Sequence, residues 1–146
     1  MQKHFVLLLF IITIYYCTNQ KNQKIFNLSN EDSTEIMQKI IDLPDLEYYY
    51  HVEILNTRKP LVILKNNIIQ NEYSLKKFNE RVIFLTLTEI MAQKKDAYLE
   101  FSNFNISHDS VKVSFKYRCE GVGGYAIFMK KNSNTWNVIN SFAHEY

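Results

Sequence analysis

Chemistry has few places to start in this chain, which holds two cysteines, four histidines and a run of three tyrosines followed by an arginine. Glu47, Tyr48, Tyr49, Tyr50, His51 and Arg58 fall within a dozen positions of one another. An arginine fork pairs bidentately with a carboxylate or phosphate. Tyrosines frame a pocket when their hydroxyls turn inward. The stretch lies between regular elements, where binding groups collect on a rigid scaffold. A ligand site is therefore expected around Tyr48, Tyr50, His51 and Arg58, with His51 as the acid or base of any reaction. The plainer arrangement packs the tyrosines between helix and sheet and pairs Arg58 with a nearby acid.

Cys119 with His51 or His108 could form a thiol nucleophile and its base. Cys119 continues an apolar alternation, however, and a thiol on such a face is inert packing. His108-Asp109 suits a hairpin turn, because Asp bonds its own backbone there. No second pair of ligands stands at metal-binding spacing, so neither a metal nor a cofactor is expected. Gly121-Val122-Gly123-Gly124 joins two strands rather than opening a helix, so it is read as a turn or bulge and not as a phosphate loop. His144 and Glu145 lie at the C-terminus and join no constellation. Gly-x-Ser-x-Gly, His-Glu-x-x-His and paired-carboxylate motifs are missing from the sequence.

The N-terminus carries the most specific signal. Lys3 and His4 precede an apolar run from Phe5 to Tyr16 that closes on Cys17, and Thr18-Asn19-Gln20-Lys21 follows. A positive end, a short apolar core and a change to polar residues describe an export signal. The run is too short for a spanning helix, which needs ~20 apolar residues. No small-x-small cleavage site follows it. A cysteine at the foot of the run resembles the signal of bacterial lipoproteins, which implies that Cys17 is acylated and becomes the first residue of the mature chain. The positions before it, Ile14, Tyr15 and Tyr16, depart from the family pattern of a Leu followed by small residues. An uncleaved signal-anchor is the competing reading. The organisation expected is 1–17 signal, 18–28 polar tether and 29–146 a single domain.

Composition sets wide bounds. Seventeen basic and fifteen acidic residues leave a net charge of +2 with interspersed signs, which argues against nucleic acid as a partner. Removing Cys17 leaves Cys119 alone, so no internal disulfide can form. Abundant aromatics with three glycines and two prolines favour regular structure over disorder.

The elements that must position these residues follow from periodicity. Asn30 or Asp32 caps a helix, with Glu35 completing an approximate capping box. Ile36, Met37, Ile40 and Ile41 form its apolar face, and Leu43-Pro44 stops it. Asp45–Tyr50 adds a helical turn. Leu61–Leu64 and Val82–Leu85 read as strands, while 68–81 is ambiguous. Thr86 and Glu89 open a short helix to about Lys95. Tyr98–Ile106 reads as a strand. Val111, Val113, Phe115, Tyr117 and Cys119 alternate with Lys112, Ser114, Lys116 and Arg118, which marks a half-buried antiparallel strand. Tyr125–Lys130 and Trp136–Phe142 complete the sheet, with a turn at Asn132-Ser133-Asn134. The expected fold class is α+β, two short helices packed on an antiparallel sheet with a C-terminal four-stranded meander. Helix before a curved sheet, together with the stretch from Lys130 to Val138, resembles the cystatin-like and NTF2-like cone folds, which carry many functions.

These readings converge on a non-catalytic, membrane-anchored envelope lipoprotein with a binding or protective role. Its partners would be the membrane, through the N-terminal lipid or anchor, and an envelope protein, without nucleic acid. It would be exported and held at the outer membrane or the periplasmic face. The alternatives are a small extracytoplasmic enzyme or ligand-binding domain on a cone-shaped fold, and a structural interaction module.

Overall fold

Helix α1 (Asn30–Ile41) opens the fold that a computed structural model describes over residues 28–107, 109–130 and 134–146. The expected signal at 1–17 with Cys17, the expected tether up to Asn27, and His108 and Asn132-Ser133 of the expected turns lie outside the described residues. The cap of α1 is Ser29, whose hydroxyl accepts the Asp32 N–H at 3.0 Å. This corrects the expected cap at Asn30 or Asp32, and it frees Asp32 and Glu35 for tertiary bonds. Leu43 takes extended geometry (φ −61°, ψ 129°) before Pro44, which ends α1 as the steric rule requires and starts α2 (Pro44–Tyr50) with proline in its first turn. His51 closes α2 in the left-handed region at φ 50°.

A 3-10 turn (Asn56–Arg58) leads to β1 (Val62–Leu64). The ambiguous stretch resolves into a small hairpin, β2 (Lys76–Lys77) and β3 (Glu80–Arg81). Its two turn residues, Phe78 and Asn79, both have positive φ (56° and 63°), the geometry that matches the twist of a two-residue hairpin. β4 (Ile83–Leu85) precedes α3 (Leu87–Ala92), where Thr86 and Glu89 form the expected reciprocal capping box. α3 ends at Ala92, short of Lys95, and Lys94 then adopts φ 51°.

β5 (Leu99–Ser107), β6 (Ser110–Tyr117), β7 (Val122–Lys130) and β8 (Trp136–Glu145) form the antiparallel meander. The whole sheet has six strands in the order β4-β1-β5-β6-β7-β8. β1 runs parallel to both β4 and β5, so the sheet is mixed rather than wholly antiparallel. The reason is connection length: the β2–β3 segment between β1 and β4, and α3 between β4 and β5, are long enough for crossovers.

One face of the meander builds the core. Phe101, Val113, Phe115, Tyr117, Ala126 and Phe128 are almost wholly buried against Ile36, Met37, Ile40 and Ile41 of α1 and Leu46 of α2. Burial of such aliphatic and aromatic side chains contributes roughly 1.5–3 kcal/mol each. A second, smaller cluster of Val62, Leu64, Leu85 and Ile90 covers the other face of the parallel strands. Asp32 ties α1 to the β7–β8 hairpin: its Oδ1 accepts from Lys130 Nζ and Trp136 Nε1, both at 2.8 Å. Glu35 accepts the Trp136 backbone N–H at 3.0 Å.

β7 begins at Val122, three residues earlier than its apolar pattern predicts. Only Gly121 sits in the turn, at φ 63°. Gly123 and Gly124 are strand residues. A Cβ at Gly124 would press on the Phe142 carbonyl and come within 2.9 Å of Phe115 Cζ, so the backbones of β7 and β8 and the Phe115 ring leave room for hydrogen alone.

Candidate functional site

Arg58 is the hub of the region expected to hold a ligand. The 3-10 turn delivers its side chain inward, where only 5% of it is exposed. Nη1 donates to the carbonyls of Tyr50 at 3.2 Å and Tyr49 at 3.5 Å, the last turn of α2. Nη2 forms an ion pair with Glu120 and reaches Cys119 Sγ at 2.7 Å. A guanidinium at a helix C-terminus meets the carbonyls that end without intrahelical partners. Nε is the one buried side-chain nitrogen or oxygen without a partner among the described residues.

The charges respond to this arrangement. Burial opposes the charge on Arg58, but the Glu120 hydrogen bond together with the charges of Cys119, Tyr117 and Glu120 outweighs it and raises the guanidinium further. Burial likewise works against ionisation of Glu120, and the Arg58 hydrogen bond and charge overcome it, holding that carboxyl below its usual range. Burial pushes the Cys119 thiol up despite the neighbouring Arg58. A thiol held protonated is a poor nucleophile. β6 stops at Tyr117, so Cys119 does not continue the strand's inward face as the alternation predicts. It stands half-buried in the following turn, at the rim of the core.

The three tyrosines diverge, because successive helix positions point about 100° apart. Tyr50 is fully buried, and its hydroxyl donates to the Ile41 carbonyl at 3.0 Å. Its ring meets Phe78 and Tyr117 edge-on, each with centroids 5.2 Å apart. Burial, then Tyr117, Glu47 and Asp42, drives its phenol well above the ordinary tyrosine range. Tyr48 is 73% exposed, and its ring meets those of Tyr49 and His51. Of the four expected ligand-site residues, Tyr48 and His51 meet at the surface. Arg58 meets Tyr50 only through its backbone. None of the four lines any of the three hollows described below.

Residues that sequence reasoning passed over carry as much of the polar structure. Lys77 is buried between Asp42 and Glu47, with its ammonium 5.2 Å from the Tyr50 ring centroid and 5.5 Å from that of Phe78. Leu75, just before β2, and Lys77 within it are both buried, and nothing in a two-residue strand announces that.

Hollows among the described residues border these elements. One of about 120 Å³ lies between α1 and the sheet, lined by Met37, Ile69, Tyr73 and Phe104. Small-molecule sites run to roughly 300–1,000 Å³, so it falls short of one. A hollow of about 330 Å³ surrounds Lys77 and Phe78, and one of about 640 Å³ runs along the polar face of α1 past Thr34, Gln38 and Ser74. Both are open to solvent. No group of three His, Cys, Asp or Glu able to hold a metal occurs among the described residues. No described helix is long and apolar enough to cross a membrane. No protein-family model, no curated protein and no solved structure matches the chain.

Proposed function

We propose that this chain is a non-catalytic envelope lipoprotein, exported, held at the membrane through Cys17, and serving a binding or protective role. The observation that carries the reading is the N-terminal order of charge, apolar run and cysteine, followed by a polar stretch that ends where α1 begins. In this reading the α+β elements from Asn30 to Glu145 form the domain that follows the tether. The internal bonding of both Arg58 terminal nitrogens and the burial of Tyr50 support a structural role for these two residues. The competing extracytoplasmic enzyme asks for His51, Arg58 and the tyrosines around one hollow, and that reading has less support.

Labelled palmitate supplied to a Gram-negative host expressing the wild type or Cys17→Ala tests the anchor. Label and membrane retention both lost in the variant is the expected result. A wild-type chain that stays in the membrane without label would overturn lipidation in favour of an uncleaved anchor.

A further inference from the structure

One face of the meander is packed by α1 and α2; the other has no layer over it among the described residues. The register aligns its outward side chains in rows. Lys112, Ile127 and Asn140 stand side by side, then Ser114, Tyr125 and Phe142, then Lys116, Gly123 and His144. The rings of Tyr125 and Phe142 are 6.2 Å apart and those of Phe142 and His144 4.8 Å. Lys112 Nζ lies 4.4 Å from the Tyr125 centroid. The Tyr146 ring leans over Gly123, within 3.2 Å of where a Cβ would stand. Phe142 and Ile139 are each 48% exposed, and Tyr146 is 69% exposed. A bulge opposite Ile127 and Phe128 turns Ile139 out of the ladder.

The helices and the uncovered face differ in charge. Between Leu28 and Glu53, which hold α1 and α2, the chain has seven carboxylates and Lys39, and three of those carboxylates are paired, Asp32 with Lys130 and Asp42 and Glu47 with Lys77. On the uncovered face, Lys112, Lys116 and Arg118 oppose Glu100, whose carboxylate accepts from Arg118 Nε at 2.7 Å. The helices thus keep an excess of acid, and the uncovered face a small excess of base carried by Lys112 and Lys116.

We propose that this uncovered face lies on the anionic lipid surface of the membrane that anchors the chain, with the acidic helices turned away. The inference deepens the anchored reading and rests on it for orientation. Aromatic rings favour the headgroup level, and Lys and Arg beside them are drawn to anionic lipids. The acidic side is repelled by the same surface, so the charge asymmetry selects the orientation. Asp32, in the first turn of α1, is bonded to Lys130 and Trp136, so the chain enters the fold at the β7–β8 hairpin end of the meander, on its helix-packed side. The ten residues from Thr18 to Asn27 reach at most ~35 Å, enough to lay the domain down without lifting it off.

The test uses the full chain in vesicles of phosphatidylcholine with or without phosphatidylglycerol, doped with a lipid bearing a headgroup nitroxide. Tryptophan reporters are introduced by Phe142→Trp on the sheet and Tyr48→Trp on α2, against the same buried Trp136 background. Docking predicts quenching at position 142 at least about threefold stronger than at position 48 in anionic vesicles, and its loss in high salt or with Lys112→Glu/Lys116→Glu. Circular dichroism and the unchanged Trp136 emission verify that this double variant is folded. Equal quenching at the two positions, or quenching indifferent to phosphatidylglycerol, overturns the proposal. So does a position 142 shielded from aqueous quencher by a second copy, seen as a dimer, without quenching from lipid. Flotation with pure phosphatidylcholine reads the anchor separately. A chain that floats only with anionic vesicles keeps the docking and loses the anchor.

Discussion

Arg58 and Glu120 join the end of α2 to the β6–β7 turn, and the pair is worth most when neither partner is missing. A buried ion pair broken on one side leaves an uncompensated charge, which typically costs about 3–5 kcal/mol. Arg58→Ala should therefore lower the unfolding free energy in urea by an amount in that range, because the Tyr49 and Tyr50 carbonyls and Glu120 all lose a donor. A loss below about 0.5 kcal/mol would place the pair among surface contacts of little consequence. The pH dependence follows from the sign of the Glu120 shift. Its carboxyl lies below the usual range in the fold, so the unfolded chain takes up a proton first as pH falls. The pair's contribution is complete above pH ~4.3, the unperturbed Glu value, and drains away as pH drops through the folded value. Asp32 behaves in the same sense, since its bonds with Lys130 and Trp136 outweigh its burial. Thermal midpoints measured down to acid pH should fall steeply for the wild type and less steeply for Glu120→Gln. Parallel curves would contradict the assignment.

At the scale of elements, the glycines and caps make separable predictions. Gly124→Ala should cost about 1–3 kcal/mol, since the Phe142 carbonyl and the Phe115 ring are both held by packing. Gly123→Ala should cost less, because the atoms facing it belong to the exposed and movable ring of Tyr146. Chemical denaturation of the two variants side by side checks the order, and a reversed order would contradict the packing described for β7. Thr86→Ala removes the α3 capping box and should cost about 1 kcal/mol by the same measurement. The meander was legible in the sequence because its residues alternate for nine positions with a period that only a half-buried strand shows. α1 was legible from Ile36, Met37, Ile40 and Ile41, and the capping box of α3 from Thr86 and Glu89. The parallel pairing of β1 was not, because a three-residue apolar run such as Val62–Leu64 carries no direction. Nor was the bonding of Arg58: its partners Cys119 and Glu120 lie about sixty positions away, and only the sheet's turn brings them back. Tyr48 and Tyr50 could not be told apart from residue type, since their opposite fates depend on the phase of a seven-residue helix.

The whole molecule couples two features that the chain keeps far apart: an apolar N-terminal segment ending in Cys17, and a domain with acidic helices and a basic, aromatic sheet face. In the proposed reading the first supplies attachment, and the second gives the attached domain a preferred side. Attachment is the central claim, and the mass of the mature chain tests it most directly. The protein purified from membranes of a Gram-negative host should lack residues 1–16, with its N-terminal peptide beginning at Cys17 and carrying the added mass of acyl chains on that cysteine. An N-terminal peptide that still begins at Met1, or a mature chain with unmodified Cys17, would contradict the account.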